Sequence, residues 1–242
     1  MMEHYLKTKE DYPDCIVFYR LGDFYEMFFD DAITVSRELE LTLTGRDCGM
    51  EERAPMCGVP FHSAEVYISR LISNGHKVAI CEQVEDPKKA KGMVEREVIR
   101  VITPGTTVDE AILDESANNY LVVLFMSGEA TGLAAADAST GEVYAAELSE
   151  EKEIIDELAS YSPKEIIVNE AFSRAVAKQI EMSFGIKCER REELFEGGVS
   201  EVLSEQFGKP IDELGLSEKP ETAFAAAGAL RYIKYAQKAS VE

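Results

Sequence analysis

One stretch constrains this chain more than any other. The apolar run Cys15-Ile16-Val17-Phe18-Tyr19 leads into Leu21-Gly22-Asp23-Phe24-Tyr25-Glu26-Met27-Phe28. Five apolar residues in a row read as a short strand buried on both faces. Beyond Phe28 the apolar positions 29, 32/33, 35 and 39 recur at helical spacing, so a helix runs to about Glu40. Phe24 and Glu26 are thus expected at a strand-to-helix junction, where side chains and free backbone N–H groups can face a ligand. Asp23 and Glu26 have capping-box spacing, with Asp23 as N-cap and Glu26 reaching back to its N–H. Phe24 would then pack against Met27 and Phe28, three and four positions on. Two details weigh against so simple a reading. Gly22 stands where a hydrophobic staple residue belongs, and the turn holds more aromatics than one helix face can bury. An aromatic left over there is available for something else.

The length, 242 residues, suits one large domain or two modest ones, and 45% hydrophobic content supports real cores. No run approaches 18 apolar residues, so no membrane span is expected. The start has no signal-peptide apolar region. Five cysteines, an odd count without C-x-x-C spacing, argue for reduced thiols in a cytoplasmic protein. Cys48, Cys57 and His62 fit no standard zinc spacing, so no metal is expected. Net charge is −21, spread over both halves: 13 Lys and Arg against 22 Asp and Glu up to residue 114, then 12 against 24. Nucleic-acid affinity usually rests on basic patches, so by charge alone the chain is a poor DNA binder.

In order, residues 3–12 read as a short helix closed by Pro13, and 15–20 as a strand. Leu41-Thr-Leu-Thr alternates as a strand ending at Gly45-Arg46. The segment 48–62 reads as a loop punctuated by Gly49, Pro55, Gly58 and Pro60. A helix from Ser63 stops at Asn74-Gly75, and strands follow at 78–84 and 98–102. The basic run Lys88-Lys89-Ala-Lys91 between them reads as solvated charge. This makes a small mixed-sheet α/β domain over 1–114. From 115 to 242 three strands (120–126, 132–138 and 141–148) precede alternating helices and strands, an RNase H-like α/β layout.

Folds of that kind often host metal nucleases, which need several converging carboxylates. Here the first strand, Tyr-Leu-Val-Val-Leu-Phe-Met, has no acid, and Asp137 on the next stands alone. The acids at 150–157 read as a solvated helix face. The motifs G-x-x-x-x-G-K-[ST], G-x-S-x-G and H-E-x-x-H are all missing, so this stretch reads as no enzyme. A protein-interaction scaffold is the alternative to a recognition module.

The motif Gly22-Asp23-Phe24-Tyr25-Glu26 resembles the mismatch-binding motif of the MutS family of DNA mismatch repair proteins, Phe-x-Glu inside G-D-F-Y-E-x-F. The resemblance continues, in family order, through 41–46 (LTLTGR), 55–62 (PMCGVPFH), 78–83 (VAICEQ) and 101–106 (VITPGT). It implies a mismatch-recognition domain followed by an RNase H-like connector domain. It further implies that Phe24 stacks on a mispaired or unpaired base and that Glu26 hydrogen-bonds to it. Arg46 and Met56 match positions expected against DNA, with Gly22, Asp23 and Tyr25 in support, Tyr25 reading as core. The implied partners are mismatched or looped duplex DNA and a MutL-type protein on the connector domain. Full-length members carry core, clamp and ATPase domains, bind ATP and magnesium in the ATPase domain, and form homodimers; no cofactor is implied for these 242 residues.

Overall fold

The computed structural model describes residues 1–49, 52–85, 94–109, 112–113 and 117–237. They form two compact units, Met1–Thr103 and Pro104–Tyr235. The domain boundary expected at 114 and the lysine run 88–91 lie outside the described residues.

Unit 1 runs α1 (Met2–Asp11), β1 (Cys15–Leu21), β2 (Phe24–Phe28), α2 (Phe29–Glu38), β3 (Thr44–Arg46), β4 (Ala54–Pro60), α3 (Ala64–Ser73), β5 (Lys77–Gln83) and β6 (Arg96–Ile102). Its strands form one sheet in the order β3-β4-β2-β1-β5-β6. Only β1 and β5 run parallel; the other neighbours are antiparallel.

The stretch read as a helix entry is a β-hairpin. β1 and β2 pair through Tyr19↔Glu26, Arg20↔Tyr25 and Leu21↔Phe24, leaving Gly22 and Asp23 as the whole loop. Gly22 has φ +59°, and Asp23 is not among the positive-φ residues. Glycine at the first central position with positive φ is the signature of a type II′ turn, whose twist matches the flanking strands. The chain therefore reverses before a helix can start. α2 begins only at Phe29, with no side-chain cap, so the capping-box reading fails. The loop expected at 48–62 likewise contains β4. Pro55 and Pro60 lie near the ends of that strand, where a missing N–H disrupts little of the ladder. The strand read at 41–44 is displaced to β3.

Unit 2 runs β7 (Tyr120–Ser127), β8 (Ala130–Asp137), β9 (Glu142–Leu148), α4 (Glu151–Tyr161), β10 (Glu165–Val168), α5 (Arg174–Phe184), β11 (Cys188–Arg190), α6 (Val199–Phe207) and α7 (Pro220–Ala236). The sheet order is β11-β10-β7-β8-β9, with β7, β10 and β11 parallel and β7, β8 and β9 antiparallel. That is the layout expected from three strands followed by helix–strand alternation. β7 is apolar throughout because both its faces are covered. Leu121 and Val123 pack under α6 and α7, while Val122 and Leu124 pack against α4 and α5.

The alanines of α7 (Ala223, Ala225, Ala226, Ala227 and Ala229) let that helix lie close on the sheet. Gly132 on β8 marks the tightest approach. A Cβ there would stand 2.1 Å from the backbone carbonyl carbon of Glu221. Gly132→Ala is therefore expected to lower the stability of unit 2 by about 1–3 kcal/mol, as overpacking does. Urea unfolding measures this; an unchanged midpoint would mean that the start of α7 is not seated on β8.

Candidate functional site

Residues paired across a sheet point to the same face, as do residues two apart on one strand. Phe24 and Glu26 therefore share a face. The pairings Phe24↔Pro60, Glu26↔Gly58 and Phe28↔Met56 carry that face onto β4, and Thr44↔Met56 with Arg46↔Ala54 carries it onto β3. Phe24, Glu26, Arg46 and Met56, far apart in sequence, thus lie on one side of a three-stranded surface.

One end of this face is sealed. The Tyr5 ring of α1 meets Phe28 edge-on at 5.0 Å and Tyr19 at 5.7 Å between centroids. The Tyr5 hydroxyl donates to Asp31, which also accepts from the Val17 N–H and from Lys9, at 2.8–2.9 Å. Burial, then the Asp31 charge, pushes the Tyr5 hydroxyl far above the usual tyrosine range, so it stays a donor. Toward the turn the cover runs out. The Glu26 side chain is 18% exposed and Phe24 is 45% exposed. A bulky aromatic facing solvent at a hairpin tip buries less apolar area than its neighbours and contributes correspondingly little to stability.

The tip is held through its two backbone carbonyls. The Phe61 N–H donates to the Asp23 carbonyl at 2.9 Å, and the Arg20 Nε donates to the Gly22 carbonyl at 2.5 Å. Gly22 and Asp23 themselves are exposed and serve the turn. Tyr25 and Met27 point to the opposite face. Tyr25 is buried, donates to Glu82, and lies 5.5 Å from the Arg20 guanidinium, which also stacks 3.6 Å from the Phe61 ring. Its place in the core matches the expectation for it. Met56 is half-buried beside Phe28.

Sequence reasoning missed the partner of the acid. Arg46 Nη1 donates to Glu26 Oε2 at 2.5 Å, with the two side chains 38% and 18% exposed. Only the β2–β4–β3 pairing brings these residues together, and β4 had read as a loop. Phe29 was missed as well. It has φ +54°, a conformation unfavourable for a bulky side chain and worth about 1–3 kcal/mol of strain, immediately after the site strand.

Two metal readings meet their residues here. Cys57 lies in the core with its thiol donating to the Ala32 carbonyl at 3.5 Å. Burial first and the Asp31 charge second push that thiol up to about 11, disfavouring the thiolate a zinc site needs. Asp137 is buried and caps a turn, accepting from Asn119 N–H at 2.9 Å, Ser139 N–H at 2.9 Å and Ser139 Oγ at 2.6 Å. Glu153 accepts from the N–H groups of Ser149 and Glu150, closing the start of α4. Among the described residues no three His, Cys, Asp or Glu side chains are placed to hold a metal ion. No helix among them is long and apolar enough to cross a membrane.

Burial raises the Asp137 pKa, but the hydrogen bonds from Ser139, Asn119 and Thr140 outweigh it and leave the carboxyl below its usual range. A depressed folded-state pKa adds stability above the unfolded value, lost as pH falls through the folded one. Asp137→Asn is thus expected to destabilise unit 2 by about 1–3 kcal/mol at pH 7 and by less near pH 2. Urea titrations at both pH values test this; equal losses would remove the carboxylate's role.

The fold is thus a mixed α/β module that presents an aromatic and an acid on one open strand face, followed by a second mixed-sheet α/β module. The family model for MutS domain I matches residues 1–111, and that for MutS domain II matches 119–242. The chain belongs to the MutS family. It is 48% identical over its whole length to the DNA mismatch repair protein MutS of Lachnoclostridium phytofermentans, covering 26% of that protein. It is also 48% identical over its whole length to MutS of Caldanaerobacter subterraneus, covering 28%. Identity reaches 57% with MutS of Clostridium beijerinckii, over 74% of this chain and 20% of that protein. The chain thus spans about a quarter of the length of these relatives, and its matched domains are not the ATPase domain.

Proposed function

We propose that these domains sense mismatched or looped duplex DNA, Phe24 entering the base stack and Glu26 hydrogen-bonding to the displaced base. The observation that carries this reading is the exposure of Phe24 at the hairpin tip, on the same face as Glu26. An apolar ring wedged from the minor groove unstacks a base step and kinks the duplex. Unstacking costs a few kcal/mol, and less where pairing is already faulty. Such a wedge reads deformability rather than sequence, since every base has a π-face. The carboxylate acts in the opposite direction. It is repelled by the phosphates of an ordinary duplex and tolerated where a base edge offers a donor.

Affinity comes from elsewhere. With a net charge of −21 this chain has little with which to displace counterions, so the remaining domains of a full-length MutS protein, carrying ATP and magnesium and closing a homodimer, supply the grip. Unit 2 serves as the connector and as a docking site for a MutL-type partner.

In the full-length frame of a MutS relative, Phe24→Ala is expected to abolish mismatch preference. Because Phe24 is already 45% exposed, the same change should cost well under the ~3–5 kcal/mol of a core Phe→Ala replacement. Fluorescence anisotropy on matched and mismatched duplexes, with thermal melting of the same variant, gives both numbers. Retained preference, or a core-sized loss of stability, would contradict the wedge.

The 242 residues alone should bind duplexes weakly even at low salt. Tight, mismatch-selective binding would show that the affinity resides here after all.

A further inference from the structure

We propose that Arg46 is a latch on Glu26: it holds the carboxylate in the DNA-free protein and exchanges to a backbone phosphate on binding, releasing Glu26 to the base. This rests on the mismatch-reading role proposed for Glu26 and adds a specificity-determining residue to Phe24 and Glu26.

Three observations carry the inference. Glu26 is only 18% exposed and already engaged, since Arg46 Nη1 donates to its Oε2 at 2.5 Å; a base donor must displace that contact or share the carboxylate. Arg46 is the more exposed of the two, at 38%, and shares the face of Phe24, so the duplex that receives the ring also brings phosphates within reach. A guanidinium matches phosphate oxygens as well as it matches a carboxylate, which makes the exchange chemically even. Gly58 stands opposite Glu26, and a Cβ there would touch the Glu26 Cγ at 3.4 Å and press on the Tyr25 carbonyl at 3.2 Å.

The other nearby arginines are committed. Arg20 is stacked on Phe61 and paired with Glu82. Arg53 donates to the Gly45 carbonyl, and Arg96 donates to the carbonyls of Arg20 and Val94. Arg46 is the arginine on this face whose partner is itself part of the reading site.

The latch also accounts for how an acid at a DNA-facing site gives discrimination instead of plain repulsion. On matched duplex the exchange strands Glu26 without a partner. At a mismatch the carboxylate regains one.

A double-mutant cycle in the full-length frame of a MutS relative tests this, using matched-duplex affinity over a range of KCl concentrations. Glu26→Gln should tighten matched binding, because no pair has to open and no charge is repelled. In the Arg46→Gln background only the repulsion remains to be relieved. The tightening should therefore be about 1.4- to 5-fold larger with Arg46 present, the range for exposed pairs. Arg46→Gln alone should flatten the salt dependence by about 0.9, one phosphate contact, while Arg46→Lys should keep most of that slope. Equal tightening in both backgrounds would make Arg46 a bystander and overturn the latch while leaving the Glu26 role intact. No tightening in either background would remove the Glu26 role, and the latch with it.

Discussion

The face that carries Phe24 and Glu26 depends on a two-residue turn. Gly22, at φ +59°, reverses the chain between β1 and β2 with no residue to spare. A side chain at Gly22 would meet open space, so the demand is on the backbone conformation and not on packing. Because the turn fixes the register at Leu21↔Phe24, it also fixes which side chains share a face. A slip of one residue would send Phe24 and Glu26 to the buried side and expose Tyr25 and Met27.

The same register sets a gradient along β2. Phe28 lies under Tyr5, whose hydroxyl joins α1 to the Asp31 carboxylate at the start of α2. Glu26 is partly covered and bound to Arg46, and Phe24 is open. Close packing at one end and accessibility at the other suit the proposed wedge, which would enter a base stack without deforming its own scaffold. Charge works within this frame. The chain has a net charge of −21, and the ion pair with Arg46 would limit the repulsion between DNA and Glu26 in the proposed reading role.

Much of this was legible in the sequence, and what was not has definite causes. The burial of β1 followed from its unbroken apolar run, and the helix at 64–73 from the helix read from Ser63 to the Asn74-Gly75 stop. The motif containing Phe24 and Glu26 was visible, but its conformation was misread. D-x-x-E fits a capping box as well as it fits a strand, and the positive φ of Gly22 that decides between them is tertiary information. β4 was hidden because Pro55, Gly58 and Pro60 look like loop residues, yet Gly58 lies tight against the Tyr25 carbonyl of β2 and the prolines fall near strand ends. With β4 hidden, the Glu26–Arg46 pair could not be seen, since nothing in their spacing of twenty residues suggests contact.

The central claim is that an exposed Phe24 unstacks a weakened base step. Its most direct measurement is the fluorescence of 2-aminopurine placed beside a mismatch, bound by the full-length frame carrying these domains with or without the F24A substitution. Stacking quenches that fluorophore, so the account predicts a clear rise in emission on binding with Phe24 present and none with F24A at matched occupancy. An equal rise with both proteins would show that the duplex opens without the wedge and would contradict the account.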